Sequence, residues 1–341
     1  MAAPVGTLEL RTSPHVLSGY AVDSIMFNVI VALAPTMAFA FYAFGWASLA
    51  VLGTASASCV LAEHLICKAT AKPTTVGDWS AAVTGLLYGL TLPASLPLWM
   101  VAVGGLVSIG VGKLLFGGLG QNPFNPALVG RAVMQATFPV PMTTWMVPFA
   151  EGRFGRLPGS LLAGPFLQPV YDVATGATPL ALWKFSRQLT GTRELALGFV
   201  GGSAGETSAV LLLVGGAYLV ARNMMSWRTP AAVFLAVAAV SGALHLADPA
   251  RYSSPAFMLL SGGLVLGAVF MATDMVTSPI GAAACWVYGA LIGALVVVIR
   301  TWGGMPEGVM YAILLGNAVA PHLDRLMAPR VYGTRRGRAA T

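Results

Sequence analysis

The stretch VDSIMFNVIVALAPTMAFAFYAF, residues 22–44, decides the fold, because Asp23 at its edge is its only charged side chain. As an α-helix it rises about 34 Å at about 1.5 Å per residue, enough to cross a hydrocarbon core of roughly 30 Å. Working outward, nine further apolar segments follow, at about 47–67, 79–95, 97–116, 124–140, 206–221, 229–247, 254–273, 281–300 and 306–325. The fifth and the tenth are interrupted by Pro or Gly and are the weakest, open to a partly re-entrant path.

Composition agrees with that reading. Of 341 residues 57% are hydrophobic and only 9% charged, and mean hydropathy is +0.77. A soluble domain carries roughly 25% charged residues, so this chain lacks the polar surface needed to face water. The 40 glycines suit membrane helices, where a missing side chain lets backbones approach. A net charge of +7 in such a chain marks cytoplasmic loops rather than nucleic-acid binding. Cys59, Cys67 and Cys285 lie in apolar segments without metal-ligand spacing. They read as small packing residues, not as a disulfide framework or an iron–sulfur site. The opening MAAPVGTLELRTSPH has no basic region before a short apolar core, so no signal peptide is expected.

Lys and Arg in the short loops set the orientation. With the N-terminus inside, the inner loops hold Arg11, Lys68, Lys72, Lys113, Arg222, Arg228, Arg325, Arg330, Arg335, Arg336 and Arg338. The outer short loops hold Arg251 and Arg300, and Arg131 falls within a span. Arg153, Arg156, Lys184, Arg187 and Arg193 lie in the long 141–205 segment, which is translocated largely regardless of charge. Both termini are therefore expected inside and the 141–205 loop outside. The halves also resemble each other. Residues 80–97 line up loosely with 256–279, and KLLFGGLGQNPFNPALVG (113–130) with IRTWGGMPEGVMYAILLG (299–316). Five spans per half, an odd number, gives the two repeats opposite topology, the arrangement that places ligand sites near the repeat interface. The chain divides as an inner N-terminal segment (1–21), a first five-helix repeat (22–140), an outer loop (141–205), a second repeat (206–325) and a basic inner tail (326–341).

Three polar segments carry candidate chemistry. In Asp172-Val-Ala-Thr-Gly-Ala-Thr178, Gly176 and Ala177 allow close backbone approach and Thr178 offers a hydroxyl that can be esterified. Asp172 and Thr175 stand ready to hold a metal or a donor phosphate during transfer. Taken alone, the spacing is also that of an ordinary Ser/Thr turn. Gly117–Pro126 (GGLGQNPFNP) packs two prolines, three glycines and three amides before an apolar run. Asn125 can cap the next helix, with Pro126 at its first position. That helix start, with Asn122 beside it, offers N–H groups to an anion or a heterocycle, or is simply a capped turn. In MATDMVTSP (271–279), Asp274 is an acid near a membrane boundary, ringed by Thr273, Thr277 and Ser278. It marks either a functional site or a helix end in the headgroup layer. Glu63 and His64 read as interfacial, and His245 and His322 lack partners at ligand spacing.

The pattern Asp-x-x-(Ser/Thr)-Gly-Ala-(Ser/Thr) resembles the one at which flavin transferases attach FMN through a phosphoester. Together with Thr12-Ser-Pro-His15, GGLGQNPFNPALVG at 117–130, ATGATPL at 174–180 and MATDMVTSP at 271–279, the chain resembles the NqrB/RnfD family nearly end to end, its length fitting the RnfD branch better. Thr175 stands where many members have Ser, which keeps the hydroxyl. The resemblance implies FMN bound covalently to Thr178 on the outer, periplasmic side of a bacterial inner membrane. It also implies a second, non-covalent flavin, riboflavin, in the membrane domain. Asn122, Asn125, Asp274 and Thr277 are its candidate contacts. The implied task is that of a non-autonomous subunit of an ion-translocating oxidoreductase, coupling ferredoxin–NAD electron transfer to H⁺ or Na⁺ movement. Implied partners are further membrane and peripheral subunits, a second FMN-bearing one among them, and a flavin transferase for maturation. The chain has no dinucleotide fingerprint and no Cys cluster, so NADH and iron–sulfur chemistry fall to those partners. Rival readings are a sodium-pumping quinone reductase subunit and a flavin-free channel or secondary transporter.

Overall fold

The computed structural model describes residues 21–328 except Arg156, Phe166, 168–173 and Thr207. Its first half holds α1 (Val22–Phe44), α2 (Trp46–Ala69), α3 (Ser80–Leu90), α4 (Leu98–Gly110), α5 (Pro126–Thr137) and the short α6 (Pro139–Thr143). A polar region follows with β1 (Trp145–Met146), β2 (Thr175–Gly176), α7 (Pro179–Ser186) and α8 (Thr192–Leu197). The second half holds α9 (Ala209–Ala221), α10 (Arg228–Ala247), α11 (Pro255–Leu260) and α12 (Leu264–Leu266), which runs into a π-helical turn at Gly267–Met271. It ends with α13 (Ala282–Trp302) and α14 (Val309–Leu326). Among the described residues, five stretches are long and apolar enough to cross a membrane: Val22–Phe44, Trp46–Ala69, Leu98–Phe116, Arg228–Ala247 and Ala282–Trp302.

Every one of the ten expected segments contains a helix, but several are shorter than the apolar run suggests. The third, fifth and sixth reduce to 11, 12 and 13 residues. Prolines explain two of them: Pro93 and Pro97 stop α3 from running on, while Pro126 opens α5 and Pro139 closes it. The tenth, expected to be weak, is an unbroken helix of 18 residues with Pro321 inside it. The eighth is the one that breaks, between Leu260 and Leu264. Gly262 there has φ +66°, a left-handed value that favours glycine. The carbonyls exposed by the break are taken by Arg300, whose guanidinium donates to Met258 O (2.7 Å) and Ser261 O (2.9 Å). The carbonyls freed by the break are thus satisfied by protein, as buried backbone requires.

In the first half α2 packs against α3 and α4, and α4 against α5; in the second, α10 packs against α11 and α13, and α13 against α14. Between helices already solvated by lipid, close van der Waals packing holds the bundle, which selects small residues at crossings. Gly289 and Gly293 show it: a Cβ on them would lie 2.7 Å from Thr229 O and 2.6 Å from Val233 O of α10. The halves meet where α1 packs on α9, with the Tyr218 hydroxyl donating to Asn28 Oδ1 at 2.6 Å. One continuous apolar core joins Leu33, Phe44 and Tyr88 of the first half to Leu266, Tyr288 and Ile292 of the second.

Candidate functional site at the two ends of α5

Thr178 is positioned by the polar region between the halves. Strand β2 pairs antiparallel with β1 in the register Trp145↔Gly176 and Met146↔Thr175. The short ladder fixes Thr175 and Gly176; Ala177 and Thr178 then lead into α7. Pro179 does more than break the chain here, since it is the first residue of that helix and Thr178 is its N-cap, Oγ1 accepting from Ala181 N at 3.2 Å. The hydroxyl is half-buried, while Thr175 and Ala177 are exposed. Asp172 lies outside the described residues. Helix α7 is anchored by buried Leu180 and Trp183. Lys184 Nζ adds hydrogen bonds to the carbonyls of Arg300 (3.0 Å), Gly303 and Met305 (2.9 Å). Partial burial lowers the Lys184 pKa from the ordinary lysine value.

A cavity of about 500 Å³ adjoins this turn, lined by Ala177, Thr178, Leu180 and Phe185 on the α7 side and by Met310 and Tyr311 of α14. Its charged lining is Arg131, Glu206 and Glu307. Glu307 is locked: it accepts from Arg300 Nη2 (3.2 Å), Gly263 N (3.2 Å), Gly308 N (3.1 Å) and Val309 N (3.1 Å). Gly262 must stay glycine for this reason too, because an added Cβ would collide with the Glu307 carboxylate. Glu206 faces Arg131 more loosely, Oε1 to Nη1 at 3.8 Å. The volume falls within the roughly 300–1,000 Å³ of small-molecule sites, and apolar walls with a few polar groups are their usual lining. A phosphate ester on Thr178 would lie at the N-terminal end of α7, where the helix dipole favours an anion; Pro179 has no N–H and the Ala181 N–H is taken by Thr178 Oγ1. The residues present fit a flavin mononucleotide held through its phosphate.

The GQNPFNP and MATDMVTSP segments, distant in sequence, meet at the other end of α5. Asn125 is the N-cap, accepting from Ala127 N (3.1 Å) and Leu128 N (3.4 Å), and its Nδ2 donates to Met271 O (3.4 Å). Asn122, Asn125 and Asp274 line a cavity of about 90 Å³ together with Lys113, Thr84 and Met225. Thr277 is not in its lining; its hydroxyl donates to Asp274 Oδ2 (3.3 Å), and Val276 N donates to Oδ1 (3.3 Å). Asn122 Oδ1 has no hydrogen-bond partner among the described residues. These groups match the edge of a heterocycle in kind, but the volume is well below the roughly 300 Å³ of a small-molecule site. In this conformation the inner cavity does not accommodate riboflavin.

Sequence reasoning missed the buried ion pairs. Glu63, expected at the interface, is fully buried, and Lys113 Nζ donates to its Oε2 at 2.7 Å and to Ser80 Oγ at 2.6 Å. Thr75 donates to the other oxygen. Among the described residues Arg131–Glu206 and Arg300–Glu307 are two further pairs. The signal was present: each is a charged residue inside or at the rim of an apolar segment, where ionisable groups pair or serve function. The three cysteines are buried, as their apolar settings suggested.

Residues 9–333 match the family described as NQR2, RnfD, RnfE. Similar curated proteins cover nearly the whole chain. The D subunit of the ion-translocating oxidoreductase complex of Stutzerimonas stutzeri is 40% identical over 332 residues, 92% of either chain. The D subunit of the proton-translocating ferredoxin:NAD(+) oxidoreductase complex of Clostridium ljungdahlii is 38% identical over 96% of both. The D subunit of the Na(+)-translocating ferredoxin:NAD(+) oxidoreductase complex of Acetobacterium woodii is 39% identical, over 96% of this chain and 95% of that one. A match from residue 9 to residue 333, together with relatives of 38–40% identity along the same length, means that the chain belongs to the NQR2, RnfD, RnfE family.

Proposed function

We propose that this chain is the membrane subunit of an Rnf-type ion-translocating oxidoreductase and passes electrons through FMN esterified to Thr178. The observation that carries the reading is Thr178 itself, a half-buried hydroxyl capping α7 in the lining of a cavity of about 500 Å³. In maturation by a flavin transferase, the Thr178 oxygen loses its proton and gains the bond to phosphorus while the donor's leaving group departs. Bound FMN supplies reversible electron uptake, and the protein positions and tunes it. The β1–β2 ladder and Lys184 hold the turn, the end of α7 receives the phosphate, and the apolar wall formed by Phe185, Met310 and Tyr311 limits water around the ring. The names of the relatives support other subunits as partners, and they include one protein named for protons and one for Na⁺.

The architecture that goes with this function is two inverted five-helix repeats, α1–α5 and α9–α14, with the broken α11–α12 helix as one span. Support comes from the matching order of contacts in the two halves, α2 with α3 and α4 against α10 with α11 and α13. Lys113 and Arg300, at the ends of the corresponding spans, each enter a buried ion pair. Both termini then lie in the cytoplasm and Thr178 on the periplasmic side of an inner membrane.

Wild-type protein from cells with an active flavin transferase should give a fluorescent band on a denaturing gel under ultraviolet light, and Thr178→Ala should abolish it. A dark wild-type band removes the covalent-flavin reading. Orientation is tested separately: Ser186→Cys, exposed at the end of α7, should react with an impermeant thiol reagent added outside, and Arg222→Cys should not. The reverse pattern inverts the topology.

A further inference from the structure

Two carboxylates line the outer cavity, and they are not equivalent. Glu307 accepts hydrogen bonds on both oxygens and has Arg300 fixed beside it, so its role is to close the break in the eighth span. The Glu206 side chain is as buried as that of Arg131, and Ser203 lies against its carboxylate, yet its Oε1 has no hydrogen-bond partner among the described residues, and neither does Arg131 Nε. Oε1 faces the break in the chain: a Cβ added at Gly263 would sit 3.0 Å from it. A buried carboxylate left with an open lone pair in a low-dielectric site gains from a proton whenever negative charge is added nearby.

We propose that Glu206 is the proton acceptor that compensates an electron entering the outer cavity. The inference rests on the covalent flavin at Thr178. As an electron arrives from a redox centre of a partner subunit, the Glu206 carboxylate takes one proton from the aqueous side that Ala177 and Thr175 face. It becomes a carboxylic acid, and when the electron leaves for the next carrier the proton is released. Arg131, on α5, keeps its charge throughout and supplies the positive field in which the added electron is held. The other charged or titratable groups around Glu206 are already committed. Glu307, before α14, is held by Arg300 of α13 and by backbone N–H groups; Lys184 of α7 is bound to three carbonyls. Tyr311 of α14 directs its hydroxyl to Met305 Sδ at 3.7 Å. Of the two acids among the described lining residues, Glu206 is the one with a carboxylate oxygen left open to a proton.

The test is a spectroelectrochemical titration of the covalent flavin in the purified complex as a function of pH, with the fluorescent gel band checked first for every variant. In wild type the midpoint potential should fall as pH rises, with a slope approaching one proton per electron. Glu206→Gln keeps the shape but cannot take the proton, and should flatten that slope with the gel band intact. Glu206→Asp should retain it. A wild-type potential independent of pH, or a Glu206→Gln protein with the wild-type slope, overturns the proposal. Infrared difference spectra of the wild-type protein provide a readout that needs no variant: reduction should bring up the C=O stretch of a protonated carboxylic acid, and its absence is equally fatal. A dark wild-type gel band is a distinct outcome that removes the tether and this inference with it.

Discussion

The outer and inner cavities sit at the two ends of one short helix and have settled differently. Ala127 lines the inner one and Arg131 the outer one, four positions apart, or about 6 Å at about 1.5 Å per residue. At the inner end Asn125 spends its oxygen on two backbone N–H groups and its nitrogen on Met271, while Asp274 is engaged by Val276 and Thr277. The void there is about 90 Å³. At the outer end Arg131 Nε and Glu206 Oε1 have no partner among the described residues, and the void is about 500 Å³. Asn122 Oδ1 also lacks a partner among the described residues at the inner end, so the ends differ in volume and in the ion pair: the outer void, where a covalently tethered guest is proposed, is the larger and holds a pair without a hydrogen bond. The proposed tether would account for so few fixed contacts at the outer site, since a phosphoester removes the need to bind the group by recognition.

The comparison extends to the ion pairs beside each cavity, and a charge deletion tests it most severely. Lys113 and Glu63 are both almost fully buried and in direct contact at 2.7 Å, with Ser80 and Thr75 completing the set. Removing the ammonium in Lys113→Met strands a carboxylate in a low-dielectric interior, a loss of about 3–5 kcal/mol when one partner of a buried pair is removed. Arg131→Met should cost distinctly less, because its pair is longer, not hydrogen-bonded, and beside a large cavity where water can solvate Glu206. Thermal unfolding of the two variants in detergent measures the difference. Equal losses would mean that the outer pair is as structural as the inner one, and the contrast between a closed and an open end would collapse.

Much of this was legible in the chain because membrane segments announce themselves by length and composition. All ten apolar runs contain a helix, and Asn125 caps α5 with Pro126 at its first position, as the residues require. What was not legible follows from tertiary pairing. The tenth run reads as interrupted but holds together as α14, while the eighth breaks because Arg300, 39 residues from Ser261 in the chain, takes the freed carbonyls. Lys113 and Arg300 were counted as loop charges, yet both are buried in ion pairs. Without them the loop cations on the side expected to be inside still outnumber the other side by ten to one. The meeting of Asn125 with Met271, 146 residues apart, leaves no local trace, and the loose alignment of the halves pairs neither motif with the other. Thr178 is a candidate through its motif alone, and the cavity beside it becomes visible only in the fold.

A smaller change asks whether the inner end is independent of the outer one. Asn125→Ala removes the cap of α5 and the bond to Met271 O, so it should cost about 1 kcal/mol, the ordinary value of an N-cap residue. The first turn of α5 would fray, while Arg131, more than a turn further on, keeps its place because Gly130 is pressed against α4, where an added Cβ would lie 2.8 Å from Gly104 O. The covalent flavin band should therefore persist at wild-type intensity, with only a modest fall in thermal stability. If the band were lost, or stability fell by several kcal/mol, α5 would be acting as one rigid lever between the cavities. Closure at the inner end would then be part of what holds the outer one open.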